Sequence, residues 1–332
     1  MDRPYILHMF TPGRQMSPFD INMAADAGYQ LVVPYADVGL GQIAGLTQDT
    51  IFSRGPKGVA RTGIFIGGRD ALLAADMLAA AQAAMVPPFV VSLMADPSGA
   101  YTTAAAMVAC VEAALLRQGV AAGLAGCRVV VLGGTGPVGR IAGVLAARAG
   151  ALVQLSSRNG IDVAEAAAQE TAARFGVSLH GCSGGDTAAV RHSIADAEVV
   201  LACAAAGKQV VSADDLAAAR VLRVAADVNA VPPSGIAGVG VMDDAVPLAG
   251  AGGGNRAVAA EGIGAAGIGA VGIGAAGIGA VGIGALAVGN VKYQTQHRLL
   301  LQMRNATSPV ALGFDQAFAT ARAFLAERAA AA

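Results

Sequence analysis

The chain has 332 residues, 55% of them hydrophobic and 14% charged, which excludes global disorder and supplies enough apolar material for two domains. A formal net charge of -1 gives no electrostatic ground for a nucleic-acid or anionic-membrane partner, so the expected partner is a small molecule. Cys110, Cys127, Cys182 and Cys203 stand far apart, with no Cys-x-x-Cys pair and no histidine at ligand spacing, and therefore read as free thiols with no metal site.

In chain order, the N-terminus has neither the apolar core nor the cleavage site of a signal peptide, and a cytoplasmic protein is expected. Residues 5–10 read as a strand. Ser17-Pro18-Phe19-Asp20 then reads as a helix start, with Ser17 and Asp20 forming a capping box, Pro18 at the first helical position and Gly28 closing the helix in a left-handed conformation. Strands follow at about 31–35, 63–67 and 89–95, and an Ala-rich helix at about 103–117. This alternation predicts a parallel sheet between helices. A turn-like stretch, residues 119–126, precedes a new strand at 128–132, where the alternation restarts.

That strand runs into Gly134-Thr135-Gly136-Pro137-Val138-Gly139, a Gly-x-Gly-x-x-Gly between strand and helix. Gly134 is assigned the tight turn, Gly136 the close approach of backbone to a pyrophosphate, and Gly139 the packing of helix on strand. The helix from Pro137 aims its free amides at the phosphates, with Thr135 and Val138 completing the cradle. The next strand, 152–156, ends in Ser156-Ser157-Arg158 with no carboxylate to hold a ribose 2'-hydroxyl, so Ser157 and Arg158 favour a 2'-phosphate: NADP is the preferred cofactor and NAD a second one. Strands at 199–202 and 221–226 put Ala204 and Asn229 at carboxyl ends, where ligands bind in such sheets. The predicted fold class is α/β: a Rossmann-type dinucleotide-binding domain, residues 126–300, and a smaller α/β substrate domain, residues 1–125, completed by a C-terminal helix at about 305–332, with a cleft between them.

Gly-Ile-Gly-Ala occurs five times at a five-residue period between Gly262 and Ala285. Glycine at nearly half the positions and the lack of an aromatic belt argue against a membrane span, and the segment, about 262–281, is read as a repeat insertion. Just beyond it stands Lys292, one of three lysines, on a predicted helix. Neither a Gly-x-Ser-x-Gly elbow nor a His-Asp pairing is apparent, so alcohol dehydrogenation lacks its usual base.

Ser17-Pro18-Phe19-Asp20, Leu46-Thr47-Gln48-Asp49, Ile51-Phe52-Ser53-Arg54, the stretches 61–68 and 227–233, and the long string 282–296 closely resemble the bacterial NAD(P)-dependent methylene-tetrahydromethanopterin dehydrogenases over nearly the whole chain. The resemblance implies two domains with the pterin in the cleft, a homo-oligomer (trimer or hexamer), and oxidation of methylene- to methenyl-tetrahydromethanopterin in formaldehyde oxidation. It also implies that Phe19 packs against the pterin, that Asp20, Thr102 and Thr103 lie near it, and that Lys292 is the active-site lysine. Two other readings stay open on sequence: a methylene-tetrahydrofolate dehydrogenase, and a non-catalytic NADP-binding regulator.

Overall fold

A computed structural model describes residues 3–249 and 279–331. Most of the Gly-Ile-Gly-Ala repeat, residues 262–278, lies outside the described residues. The first half runs β1 (Ile6–Phe10), α1 (Pro18–Asp26), β2 (Leu31–Tyr35), α2 (Ile43–Phe52), α3 (Pro56–Val59), β3 (Thr62–Ile66), α4 (Ala71–Ala83), β4 (Ser92–Ala95) and α5 (Ala100–Arg117). The second runs β5 (Arg128–Leu132), α6 (Pro137–Arg148), β6 (Leu152–Ser157), α7 (Ile161–Phe175), β7 (His180–Ser183), α8 (Thr187–Ile194), β8 (Val199–Ala202), α9 (Ala213–Ala218), β9 (Val224–Asp227), β10 (Asp244–Pro247), β11 (Val281–Ile283), α10 (Ala285–Asn305), β12 (Ala311–Leu312) and α11 (Phe314–Ala331).

Two sheets result. The larger has the order β10-β11-β9-β8-β5-β6-β7, parallel except for β10. Counting from β5, its six parallel strands follow the 3-2-1-4-5-6 order of a dinucleotide-binding fold, with β11 as the sixth. The other, β12-β4-β3-β1-β2, is all parallel and follows the 2-1-3-4-5 order of flavodoxin-like sheets, its fifth strand supplied from the C-terminus. Each order reverses once, between β5 and β8 and between β1 and β3, and each reversal opens a crevice at the carboxyl ends of the strands.

Helix α5 joins the halves, packing against α6, α10 and α11. Its alanines at 104, 105, 106 and 109 are buried, and such small side chains let the neighbouring helices come close. With its preceding turn α5 is long and apolar enough to cross a membrane, yet 78% of that window is buried inside the protein, as a core helix requires. Helix α10 follows β11 but packs on α5, α11 and α1, with contacts to β3 and β4.

Several local expectations need correction. Residues 89–95 form a strand only from Ser92, because Pro87 and Pro88 hold a short turn closed by a Val86–Phe89 bridge. Strand β7, His-Gly-Cys-Ser, escaped detection because it lacks the β-branched run that marks a strand. The insertion read at about 262–281 ends sooner, because β11 already begins at Val281; in the copy that follows, a Cβ on Gly284 would collide with the Gly240 carbonyl oxygen, so this glycine is a packing requirement. The capping box at Ser17 does not form. Ser17 is the N-cap and Pro18 opens the helix, but no side chain caps it, since Asp20 turns inward instead. Gly28 does take the left-handed conformation, at φ +85°.

Candidate functional site

Directly after strand β4 stands Asp96, whose buried carboxylate accepts hydrogen bonds from the Tyr101 and Thr102 amides at 3.0 and 3.1 Å and from the Thr102 hydroxyl at 2.6 Å. It does for α5 what an N-cap does, satisfying amides that have no helical partner. To reach them, the chain passes through Ser98 and Gly99 at φ +49° and +71°. Such strain in a non-glycine residue persists only where the surroundings hold it, and here the Ser98 hydroxyl donates to the Gly68 carbonyl at 2.7 Å. The bare Gly99 backbone lets α10 approach: a Cβ there would lie 3.0 Å from Lys292 Cε.

Lys292 Nζ donates to Gln296 Oε1 at 2.6 Å, one helical turn on, and sits 3.5 Å from the centroid of the Phe19 ring. Gln296 Nε2 donates in turn to Asp20 Oδ1 at 2.8 Å, which fixes the orientation of the buried amide. The other carboxylate oxygen of Asp20 is buried without a hydrogen-bond partner among the described residues. Burial, and then the nearby Asp96 charge, push the Asp20 pKa up to about 7, against the lowering effects of Gln296 and Lys292. Burial likewise raises the Asp96 pKa, and it lowers that of Lys292 against the pull of both carboxylates. Phe19 remains 45% exposed on the face of this cluster. Thr102 is consumed by Asp96, whereas Thr103 is half-buried on the first turn of α5.

In the larger sheet, the glycine loop follows β5 as the motif implied, but with the roles redistributed. The tight turn belongs to Gly133, at φ +72°, where a Cβ would also strike the Cys203 carbonyl oxygen at 2.8 Å and the Ala204 backbone at 2.9 Å. Gly134, assigned that turn from sequence, instead presses on β6, with Leu155 Cα 2.8 Å from where its Cβ would be. Gly139 permits helix-to-loop packing, since its Cβ would stand 2.5 Å from the Gly133 carbonyl oxygen. Gly136 has room: its nearest neighbour would be 3.5 Å away. No side chain among the described residues caps α6 at Gly136-Pro137, so the amides beside Val138 are open to a phosphate, as a dinucleotide requires. Arg140 braces the loop, bonding the Thr135 carbonyl at 3.1 Å and the Thr171 hydroxyl at 2.8 Å.

At the end of β6, the Ser157 hydroxyl accepts from the Asn159 amide at 3.1 Å, while the exposed Arg158 has no hydrogen bond or ion pair among the described residues. Asn229 is less free than its position suggested. Its oxygen accepts from the Gly207 and Val231 amides and its nitrogen donates to the Pro233 carbonyl, so it straps together two loops at the crevice rather than presenting an open polar group.

A family profile described as "Methylene-tetrahydromethanopterin dehydrogenase, N-terminal" matches residues 18–98. The NAD(P)-dependent methylenetetrahydromethanopterin dehydrogenase of Methylorubrum extorquens is 44% identical over 313 residues, covering 94% of this chain and 96% of that protein. The chain belongs to the methylenetetrahydromethanopterin dehydrogenase family. The bifunctional protein MdtA of the same organism is 34% identical over 78% of this chain and 86% of its own. Among solved structures, quinate dehydrogenase from Corynebacterium glutamicum in complex with NAD covers 98% of this chain and 99% of its own at 12% identity and a TM-score of 0.47, a distant likeness.

For this methylenetetrahydromethanopterin dehydrogenase family member, sequence reasoning missed Asp96 and the bridging Gln296. Asp96 lies in Ala-Asp-Pro-Ser-Gly, whose Asp-Pro-x-Gly turn chemistry was a usable signal. Gln296 lies one turn beyond Lys292, the i, i+4 spacing that makes helical neighbours.

Proposed function

We propose that this chain oxidises methylene-tetrahydromethanopterin to its methenyl form with NADP, and less readily NAD, as acceptor. The observation that carries the reading is the hydrogen-bonded chain from Lys292 through Gln296 to Asp20, with Lys292 held over Phe19. NADP, when bound, supplies the nicotinamide carbon that receives the hydride. Gly136 and the open end of α6 would hold its pyrophosphate, Ser157 and Arg158 its 2'-phosphate, and Ala204 with the Asn229 loop would flank the nicotinamide.

The methylene carbon lies between two amine nitrogens. Loss of its hydride leaves an amidinium-like cation stabilised by their lone pairs, so no proton has to be removed and orientation dominates catalysis. Phe19 offers a flat apolar face to the pterin, and Asp20 lines the neighbouring crevice. Burial lowers the Lys292 pKa from its ordinary value, against the pull of Asp96 and Asp20.

The substrate side of this reading comprises residues 1–125 and the C-terminal elements, and the cofactor side residues 126–300, with α10 bringing Lys292 to the substrate side; the protein acts as a cytoplasmic homo-oligomer. The test is reduction of NADP and of NAD, followed at the nicotinamide absorbance, with methylene-tetrahydromethanopterin and methylene-tetrahydrofolate as parallel substrates. Faster turnover with the methanopterin supports the reading. Faster turnover with the folate reassigns the carrier, and none with either overturns the enzyme.

A further inference from the structure

Glycine weakens the interior of a helix relative to alanine, so a helix that keeps one has a packing or functional use for it. Packing accounts for both glycines inside α6: a Cβ on Gly139 would lie 2.5 Å from the Gly133 carbonyl oxygen, and one on Gly143 would lie 2.7 Å from Leu155 Cδ2. Gly45 is exposed in the first turn of α2, where helix ends fray and a glycine disturbs little. Gly289, in the second turn of α10, differs from all three. It is half-buried, yet among the described residues nothing lies within 4 Å of where its Cβ would stand. Backbone that is shielded from water while nothing touches it lines a recess.

The flanking residues place that recess. Lys292 and Gln296 follow Gly289 at i+3 and i+7, the spacing of one helix face. Lys292 brings that face to the Phe19 ring, and Gln296 brings it to Asp20. In the other direction α10 begins at its N-cap Gly284, directly after the carboxyl end of β11, which is the side of the larger sheet where a nicotinamide belongs. At 1.5 Å per residue, Gly289 stands about 7.5 Å along the helix axis from Gly284 and about 4.5 Å from Lys292. The recess therefore lies between the dinucleotide crevice and the Lys292 cluster.

We propose that Gly289 is the floor of the hydride-transfer site, its bare backbone carrying the edges of the nicotinamide and of the methylene-bearing ring where the two meet. A flat ring resting on backbone makes carbon contacts at about 3.5–4.0 Å. A methyl group in that space would lift the rings by about 1 Å, a misplacement large enough to slow a reaction that depends on orientation. The inference rests on the hydride-transfer reading above and adds to it the residue that sets the spacing of the two rings.

The experiment compares the parent with Gly289→Ala in three measurements. Thermal denaturation without ligands should show the variant melting about 1–3 °C higher, because alanine favours the helix and meets open space. Fluorescence titration should give the same NADPH affinity for both proteins, whereas the methylene carrier should bind the enzyme–NADPH complex, which cannot react, about tenfold more weakly in the variant. Steady-state kinetics with whichever pterin the parent turns over should give a kcat lowered about tenfold or more, with KM for NADP unchanged. A variant that is more stable and equally active would show that nothing rests on Gly289. A variant less stable than the parent would show that the space is filled by the protein itself. Either result overturns the inference and leaves the pterin reading in place. No turnover by the parent with any pterin overturns both.

Discussion

The Lys292 ammonium lies 3.5 Å from the centre of the Phe19 ring, so helix α10 of the C-terminal region and helix α1 of the N-terminal region meet at one face. A partly buried cation on an aromatic face contributes roughly 1–2 kcal/mol. The contact also fixes where the amine points, because the Gln296 hydrogen bond holds it from the other side.

Replacing Lys292 with Ala should lower kcat by about 10²-fold, the scale on which catalysis responds to lost positioning, while NADP affinity stays nearly unchanged. Steady-state kinetics paired with a direct cofactor titration checks both halves. Undiminished turnover would remove Lys292 from the site.

Burial and the nearby Asp96 charge push the Asp20 carboxyl from the ordinary 3.8 up to about 7 in the folded protein. An acid whose pKa is raised by folding gives stability that is complete below about pH 4 and is lost as pH rises through 7, because the native state must then hold a buried charge. Asp20→Asn keeps the shape and stays neutral. Thermal denaturation should show parent and variant close together near pH 4, a gap favouring the variant that opens up to about pH 7, and a constant gap above it. A gap that does not change with pH would mean Asp20 titrates normally.

Arg158→Ala should weaken NADP binding about 10- to 100-fold, the worth of a hydrogen bond to a charged group, and leave NAD binding almost intact. Only NADP carries the 2'-phosphate. Fluorescence titration with each cofactor measures the ratio, and unchanged selectivity would discard the assignment.

Gly139→Ala should weaken both cofactors together. The added methyl would stand 2.5 Å from the Gly133 carbonyl oxygen and 2.8 Å from Gly134 Cα, backbone atoms that cannot rotate away. Overpacking of this kind costs about 1–3 kcal/mol and displaces the loop from α6. A variant that binds NADP like the parent would show that the loop relaxes without cost.

The amino-acid sequence by itself determined what depends on local pattern. A β-branched run, a glycine loop and a helix start in register specified the dinucleotide crevice at 128–140, and the absent carboxylate near Arg158 favoured the phosphorylated cofactor. Lysine scarcity pointed to Lys292. Tertiary structure decided the rest. Gly133 rather than Gly134 makes the turn because the approach of Ala204, from a different strand, sets which glycine must bend. Asp20 abandons its capping role because Gln296, 276 positions away, offers its amide in the core. Asp96 joins the cluster only when α10 packs over Gly99. Periodicity and turn chemistry report on neighbours along the chain, whereas these contacts exist only after two sheets and the helices between them have closed on one another.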